Sequence, residues 1–276
     1  MEKTLKFIKI SAAGNDFIMI DNRRKAAPKD ISRLAKKLCH RQFSVGADGV
    51  ILLEKSKKAD FRMRYFNSDG SPASMCGNGG RSVARFANIL GVASKKVVFE
   101  TDAGLVRAEL LGRNIKLGLY EPKDAMLDFT LRVEQKEFDV SFINTGVPHT
   151  VIFVNDIEKA DVANLGRMVR RHRQFLPAGT NVNFVEKKDN HTLLVRTYER
   201  GVENETLACG TGVTASAIIA GLRGMVSPPV NCVTRGGYTL KVLYTINEKG
   251  DFISPVSNVF LEGPAEVAFK GEVEVK

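Results

Sequence analysis

The sequence predicts an α+β protein made of two similar halves, each a curved, mostly antiparallel sheet wrapped around one central helix. Three observations predict this fold. Strand patterns outnumber helix patterns along the chain, two closely similar Cys-Gly-x-Gly segments each precede a helix pattern, and the surroundings of these two segments repeat at a constant offset.

Short stretches of alternating or continuous apolar residues predict the strands. They cover residues 5–10, 50–53, 61–66, 97–99, 151–154, 183–185, 193–198, 238–244 and 267–275. Helices are fewer. Asp30 can cap a helix that runs to about His40, and Asp161 can cap another that runs through Val169, because a short acidic side chain satisfies free N–H groups at a helix start.

Two further helices follow the Cys-Gly-x-Gly segments. One is predicted from about Asn78 to Leu90, with Gly91 placed to end it, and the other from about Thr211 to Leu222. The second helix is almost entirely small or apolar in its middle, which predicts that it is buried on every side.

The chain carries an internal repeat. An offset of 133 residues (209 minus 76) aligns two sets of residues in the same order. The first set is Tyr65, Cys76, Gly77, Gly79, Ala84, Ala87 and Gly91, and the second is Tyr198, Cys209, Gly210, Gly212, Ala217, Ala220 and Gly224. The predicted halves are residues 1–119 with 264–276, and residues 120–263, because glycine and proline interrupt the strand patterns at both breaks.

Composition argues against several classes of protein. The formal net charge is +10, but the basic clusters are short, the chain has no Trp, and no basic stripe alternates with aromatic residues. Nucleic-acid binding is therefore not expected. No apolar run approaches the roughly 20 residues of a membrane span, and the first residues lack the apolar core of a signal peptide.

The four cysteines, Cys39, Cys76, Cys209 and Cys232, are isolated from one another. Without a Cys-x-x-Cys pair, a structural zinc site is not predicted, and four cysteines are too few for a disulfide scaffold. The sequence thus predicts free thiols in a cytoplasmic protein that needs no metal. Cys39 and Cys232 are interpreted as structural.

Cys76 and Cys209 suit acid–base chemistry. Each precedes glycines and a helix start, where free N–H groups and the helix dipole favour a thiolate and an anionic ligand. Equivalent loops of two similar halves tend to meet at a cleft, so one thiolate can remove a proton from a tetrahedral carbon while the opposite thiol delivers another. Acyl transfer by a cysteine with His149 is an alternative that leaves the second cysteine unused, and a disulfide between the two would be an inactivated form.

The chain also resembles the diaminopimelate epimerases in motifs that occur in order along nearly its whole length. The motifs are Ala-Gly-Asn-Asp-Phe at 13–17, Phe-Asn-Ser-Asp-Gly-Ser at 66–71, Met-Cys-Gly-Asn-Gly-Gly-Arg at 75–81, Gly-Val-Pro-His at 146–149, Tyr-Glu-Arg-Gly at 198–201 and Ala-Cys-Gly-Thr-Gly at 208–212. The resemblance implies cofactor-independent conversion of LL-2,6-diaminopimelate to meso-2,6-diaminopimelate, in L-lysine and peptidoglycan precursor biosynthesis. It also implies the diaminopimelate epimerase-like fold.

The resemblance further implies roles for individual residues. Cys76 and Cys209 become the proton donor and acceptor, with roles that exchange with the direction of reaction, and His149 and Glu199 tune this pair. Substrate binding is implied for Asn15, Asn67, Gly77, Asn78, Asn181, Glu199, Arg200, Gly210 and Thr211.

Simpler interpretations stand beside several of these roles. Asn15 and Asn67 can be turn formers, His149 a satisfied polar residue at a strand start, and Arg200 an exposed strand end. Val147 and Gly49 depart from residues that some family members carry, Asn and Gln. The alternative function is that of a proline racemase or 4-hydroxyproline epimerase of the same fold. The only expected partner is a small-molecule substrate; a homodimer is compatible with the sequence.

Overall fold

A computed structural model describes residues 3–247 and 253–275 of the chain, which divides into two compact units. The first unit comprises Met1–Gly118 and Gly263–Lys276, and the second comprises Leu119–Glu262. The α-helices are α1 (Ile31–Cys39), α2 (Gly77–Ile89), α3 (Val162–Arg170) and α4 (Gly210–Leu222), with a short 3₁₀ helix at Arg173–Phe175.

Strands make up nearly half of the described residues and far more of them than the helices do. They are β1 (Lys3–Ala12), β2 (Asn15–Asp21), β3 (Gly49–Glu54), β4 (Phe61–Asn67), β5 (Pro72–Ala73), β6 (Lys96–Thr101), β7 (Gly104–Leu111), β8 (Asn114–Gly118), β9 (Lys123–Val133), β10 (Lys136–Asn144), β11 (Pro148–Phe153), β12 (Asn181–Lys187), β13 (Thr192–Glu199), β14 (Asn204–Thr206), β15 (Val230–Thr234), β16 (Thr239–Ile246), β17 (Val256–Pro264) and β18 (Glu266–Val275).

The first unit is one mixed sheet in the order β18-β1-β2-β3-β4-β6-β7-β8, with the short β5 paired to β4. Its neighbouring strands are antiparallel except for β2 with β3 and β4 with β6. Helix α1 connects β2 to β3, since parallel neighbours require a crossover connection.

The second unit repeats this topology strand by strand. Its order is β9-β10-β11-β12-β13-β15-β16-β17, with β14 paired to β13. The parallel pairs are β11 with β12 and β13 with β15, at the positions equivalent to those of the first unit. The predicted α+β fold of two similar, mostly antiparallel halves is confirmed.

Each sheet wraps around one helix. Helix α2 contacts β1, β2, β3, β4, β7 and β8, and α4 contacts β10, β11, β12, β13, β15 and β16. Every residue of α4 from Gly212 to Gly221 is buried, as its apolar sequence predicted. Both helices end at a glycine with positive φ, +66° at Gly91 and +69° at Gly224, a conformation that other residues rarely adopt.

The two outer helices begin where the sequence indicated. The Asp30 carboxylate accepts a hydrogen bond from the Arg33 N–H at 2.9 Å, and the Asp161 carboxylate accepts one from the Asn164 N–H at 3.1 Å. Helix α1 buries the predicted apolar face, whereas Leu165 of α3 is only half-buried.

The predicted strands are all present, with Val154 and Tyr238 falling just outside β11 and β16. Nine of the described strands lie outside the predicted stretches: β2, β5, β7, β8, β9, β10, β14, β15 and β17. Where β9 pairs with β10, the register shifts twice, between Val140 and Phe142 and again between Phe142 and Asn144. Such irregularities interrupt the period-two alternation on which strand prediction depends.

Candidate functional site

Cys76 lies immediately before α2 in the first unit and is partly exposed. Its backbone is extended (φ −145°, ψ 128°), and its Sγ accepts a hydrogen bond from the Gly79 N–H at 3.5 Å. The thiol therefore takes the place of the side-chain oxygen that usually caps a helix start. An N–H donor at this position stabilises negative charge on sulfur.

Two predicted substrate-binding amides meet beside this helix start. Asn78 Nδ2 donates to Asn15 Oδ1 at 2.6 Å, and Asn15 Nδ2 donates to Asp48 Oδ2 at 2.8 Å. Arg41 donates to the other oxygen of Asp48 at 2.8 Å. This chain of bonds orients both amide groups, so Asn15 does more than form the turn that precedes β2.

Asn67 occupies the end of β4. Its side chain donates to Ser71 Oγ at 3.0 Å, and its carbonyl accepts from the Gly70 N–H at 2.9 Å. These bonds are those of a turn-forming asparagine, which was the simpler interpretation of this residue. A substrate contact of Asn67 stays a prediction.

Gly49 has no room for a side chain. A Cβ atom built there would lie 2.5 Å from Phe66 O and 2.5 Å from Tyr65 Cε2. The first of these is a backbone atom of the paired strand β4, so relieving the clash would require the strand itself to move. The glutamine that some family members carry here is therefore incompatible with this arrangement of Tyr65.

Cys209 lies immediately before α4 in the second unit and is buried. Its Sγ lies 3.4 Å from Thr211 Oγ1, and it is hydrogen-bonded to the Glu199 carboxylate. Glu199 also accepts a hydrogen bond from Thr206 Oγ1 at 3.0 Å. Burial raises the pKa of Glu199, while its bonds from Thr206 and Cys209 act in the opposite direction. Glu199 thus contacts Cys209, and its role in tuning the cysteine pair stays a prediction.

Arg200 and Asn181 lie together in the second unit. The Arg200 N–H donates to Asn181 Oδ1 at 2.8 Å, and Asn181 Nδ2 donates to Pro148 O at 3.2 Å. The Arg200 guanidinium donates from Nη1 to Ala178 O at 3.1 Å. Arg200 is therefore a half-buried, anchored side chain rather than an exposed strand end.

His149 is fully buried on β11. Its Nδ1 lies 3.1 Å from the amide nitrogen of Asn183, whose orientation follows from donation to Thr150 O at 3.1 Å and acceptance from Thr197 Oγ1 at 3.0 Å. Because the amide nitrogen can only donate, Nδ1 is the acceptor and the ring proton is assigned to Nε2. Among the described residues, Nε2 has no hydrogen-bond partner, so His149 is only half satisfied.

His149 is neutral at physiological pH. Burial lowers its pKa to about 3, the positive charge of Arg200 acts in the same direction, and the bond from Asn183 opposes them. In the unfolded chain the same ring takes up a proton below about pH 6.5. Because the unfolded state binds more protons than the folded state there, folding stability falls as the pH is lowered.

A pH series of unfolding experiments tests whether His149 stays neutral in the folded protein. Between pH 7 and pH 5 the free energy of unfolding of the wild-type chain should fall by about 2 kcal/mol more than that of His149→Gln. Urea unfolding at the two pH values measures the difference. An equal fall in both proteins would show that the ring is protonated in the folded state.

Sequence reasoning missed several residues that support these sites, among them Asn183, Asp48 and Arg81. The available signal for Asn183 was a second amide in an otherwise apolar strand pattern, and for Arg81 its place at the end of the Met-Cys-Gly-Asn-Gly-Gly-Arg motif. Asn183 and Asp48 reach their partners from distant parts of the chain, whereas Arg81 bonds to Asn78 and Gly77 within its own helix.

The described part of the chain offers neither a cluster of metal ligands nor a membrane-spanning helix. Residues 3–247 and 253–275 contain no group of three or more His, Cys, Asp or Glu placed to hold a metal ion. None of the helices described there has the length and apolar character of a membrane span. The four cysteines, all among the described residues, form no disulfide.

Comparisons with known sequences identify the family of this chain. The sequence model of a family described as diaminopimelate epimerase matches residues 7–121 and 141–257. A diaminopimelate epimerase of Aquifex aeolicus (strain VF5) is 44% identical over 281 residues, with 98% of each chain covered.

Solved structures share the fold at low sequence identity. A PhzF-family phenazine biosynthesis protein of Bacillus anthracis has a TM-score of 0.74 at 16% identity, with 99% of each chain covered. A hydroxyproline epimerase of Agrobacterium vitis has a TM-score of 0.67 at 17% identity, with 99% of this chain and 93% of that chain covered. By the family match and the full-length relative, this chain belongs to the diaminopimelate epimerase family.

Proposed function

We propose that the protein converts LL-2,6-diaminopimelate to meso-2,6-diaminopimelate without a cofactor, with Cys76 and Cys209 as the acid–base pair, in lysine and peptidoglycan precursor synthesis. One observation carries the proposal: in each of two halves of the same topology, a cysteine occupies the position immediately before the central helix. The identity of the substrate is inferred from membership of the diaminopimelate epimerase family. A reducing cytoplasm is the compartment that would keep both thiols free.

The chemistry requires the two sulfur atoms to reach one α-carbon from opposite faces. One thiolate removes the α-proton, and the other thiol delivers a proton to the opposite face, which inverts the carbon. The resulting carbanion carries charge onto the substrate carboxylate. The N–H groups at the starts of α2 and α4 are suited to hold that carboxylate, because preorganised donors stabilise charge that develops during the reaction.

The far end of diaminopimelate is a second amino-acid group, and Arg200 and Glu199 have the matching charges. A guanidinium binds a carboxylate through two parallel hydrogen bonds, and a carboxylate binds an ammonium group. Asn181, which accepts from the Arg200 backbone, would hold this pair in place. Asn15, Asn67 and Asn78 would contribute amides from the first unit.

A proline or 4-hydroxyproline epimerase is the second candidate, since a hydroxyproline epimerase shares the fold. That likeness, at 17% identity, concerns the fold alone. Proline has one carboxylate and no distal charge, so an anchored arginine beside a buried carboxylate would have no ligand group to bind. The charges of the second unit favour diaminopimelate.

Solvent exchange tests the proposal directly. Incubation in deuterated water should place deuterium at the α-carbon of LL-diaminopimelate and leave L-proline unlabelled. Protein dialysed against a chelator should retain its rate. Labelling of proline alone would favour the second candidate, and loss of turnover on chelation, restored by a metal, would contradict a cofactor-free mechanism.

The equivalent glycines Gly79 and Gly212 offer a matched pair of substitutions. A Cβ at Gly212 would clash with Asn183 Oδ1, the amide that holds His149, whereas a Cβ at Gly79 would meet the ends of the Ile51 and Met63 side chains at 3.0 and 3.2 Å and Cys76 Cβ at 3.4 Å. Gly212→Ala should therefore lower kcat/KM by about tenfold, since small displacements in an active site reduce rates strongly. Gly79→Ala should raise the activation free energy by less than half as much. Steady-state kinetics of both variants measures the two effects, and a larger loss of kcat/KM in Gly79→Ala than in Gly212→Ala would contradict the prediction.

A further inference from the structure

A cavity of about 430 Å³ lies in the first unit at the C-terminal end of α2. Its apolar lining consists of Phe7 and Ile8 of β1 and of Phe86 and Leu90 at the end of α2. Because a helix rises about 1.5 Å per residue, Leu90 lies roughly 20 Å along the axis from Cys76. The cavity is therefore separate from that cysteine, and its volume falls within the range of small-molecule sites, roughly 300–1,000 Å³.

Four charged side chains border the cavity, and three of them already have partners. The Asp21 carboxylate accepts hydrogen bonds from Arg23 at 2.8 and 2.6 Å. Lys6 Nζ lies 3.4 Å from Glu272 Oε1. The fourth, Lys270, forms no ion pair or side-chain hydrogen bond with any residue in the part of the chain that the structure describes. The charge that remains available at the cavity is thus positive, which favours an anionic ligand.

The internal repeat shows which residues stand at the equivalent place in the second unit. Helix α2 matches α4 at an offset of 133 residues (210 minus 77), and β2 matches β11 at an offset of 132 (149 minus 17). Lys270 directly precedes the β18 residue that pairs with Phe7. Asp128 directly precedes the β9 residue that pairs with Val140, which matches Phe7. The equivalent pairs are therefore Leu90 with Arg223, Asp21 with Phe153, and Lys270 with Asp128.

In the second unit these three residues contact one another. Arg223 Nε lies 3.0 Å from Asp128 Oδ1, and the Arg223 guanidinium carbon lies 4.6 Å from the centre of the Phe153 ring. The second unit thus fills this place with a cation of its own, paired with a carboxylate and stacked on an aromatic face. In the first unit Leu90 carries no charge, and Lys270 replaces the carboxylate. The same place is there suited to an anion that the chain does not supply.

We propose that the cavity of the first unit is a binding site for a small carboxylate with an apolar body. The carboxylate pairs with Lys270, and the apolar body packs against Ile8, Phe86 and Leu90. Burial of the apolar body supplies most of the binding free energy, and the ion pair distinguishes an anion from a cation. This site is additional to that of the proposed function and does not rest on it.

Octanoate is a suitable probe, because it joins a carboxylate to an apolar chain. Titration of isotope-labelled protein should shift the amide NMR signals of Leu90 and Gly271, and the shifts give a dissociation constant for each compound. Octanoate should bind about fivefold more tightly than 1-octanol, as expected for one partly exposed ion pair. Butanoate should bind at least about tenfold more weakly than octanoate, because it buries fewer methylene groups. Octylamine that binds as tightly as octanoate would overturn the proposal.

A lysine substitution tests the ion pair. Lys270→Gln should weaken octanoate binding about fivefold and change 1-octanol binding by less than about twofold, because it removes the charge and keeps a polar side chain. Lys96→Gln is the matched control, since Lys96 is an exposed lysine of β6 outside the cavity. It should leave both affinities unchanged. Equal weakening of octanoate binding by the two variants would show that overall charge attracts the anion, which contradicts the role of Lys270.

A double variant transfers the ion pair of the second unit to the first. Leu90→Arg with Lys270→Asp places the residues of the Arg223–Asp128 pair at the cavity. It should weaken octanoate binding at least about tenfold, because the arginine takes the place of the ligand and the lysine charge is lost. Circular dichroism and the melting temperature establish whether this variant is folded. Wild-type affinity in the folded double variant would overturn the proposal, and if the variant does not fold, Lys270→Gln decides.

A second copy of the chain is the competing occupant of the cavity. Octanoate affinity should stay constant over a range of protein concentrations at which sedimentation velocity measures association. If affinity falls as the chain associates, and the double variant associates less, a second copy fills the cavity and the ligand site is refuted. A protein that binds octanoate but does not epimerise diaminopimelate would overturn only the proposed function. One that epimerises diaminopimelate but does not bind octanoate would overturn only this site.

Discussion

Cys76→Ala and Cys209→Ala should each lower kcat for diaminopimelate epimerisation by at least about a thousandfold. Proton transfer by a positioned side chain contributes roughly 10²–10⁴ in rate, and inversion needs both groups. An alanine at either helix start removes one of them while leaving the helix in place. Steady-state turnover of LL-diaminopimelate, followed by chromatographic separation of the isomers, measures the loss.

The two remaining cysteines provide the control. Cys39 is buried on α1, where burial raises the pKa of its thiol to about 12, and burial also raises the pKa of Cys232 on β15. Neither forms a thiolate at neutral pH. Cys39→Ala and Cys232→Ala should keep kcat within about twofold, although a small cavity lowers stability. A Cys76→Ala enzyme with the wild-type rate would refute the two-base mechanism.

Arg200→Lys should lower kcat/KM for diaminopimelate by at least about thirtyfold. The planar guanidinium can bind the distal carboxylate at two points, which the single ammonium group of lysine cannot reproduce. Loss of a charged hydrogen bond in a closed site costs roughly 2–5 kcal/mol, and roughly 1.4 kcal/mol corresponds to a factor of ten. The melting temperature should stay nearly constant, because Arg200 makes one side-chain bond to the protein, to Ala178 O.

Arg196→Lys is a suitable comparison from β13, the strand that ends just before Arg200. Arg196 donates two hydrogen bonds to the Glu205 carboxylate, at 2.7 and 2.8 Å, so its replacement also removes a bidentate pair. This variant should lower the melting temperature and change kcat/KM by less than about threefold. If Arg200→Lys keeps the wild-type kcat/KM, Arg200 does not bind the distal carboxylate and a smaller, proline-like substrate becomes the better candidate.

Much of the architecture could be predicted from local patterns. Alternation along β4 and β13, the acidic caps of α1 and α3, and the apolar sequence of α4 each depend on neighbouring residues. The repeat of Cys-Gly-x-Gly then indicated two equivalent halves before any coordinate was known. β9 and β10 are among the strands that were not predicted, and the register shifts of this pair interrupt the alternation.

The order of residues by itself determined the family, the two halves and the two cysteines, since motifs and periodicity are properties of neighbouring positions. Only the tertiary structure decided that Arg81 is fully buried, that Asn183 holds a neutral His149, and that Gly49 has no space for a side chain. The physical reason is common to all three. Burial, charge balance and steric contact depend on atoms brought together from distant parts of the chain, and no local pattern encodes them.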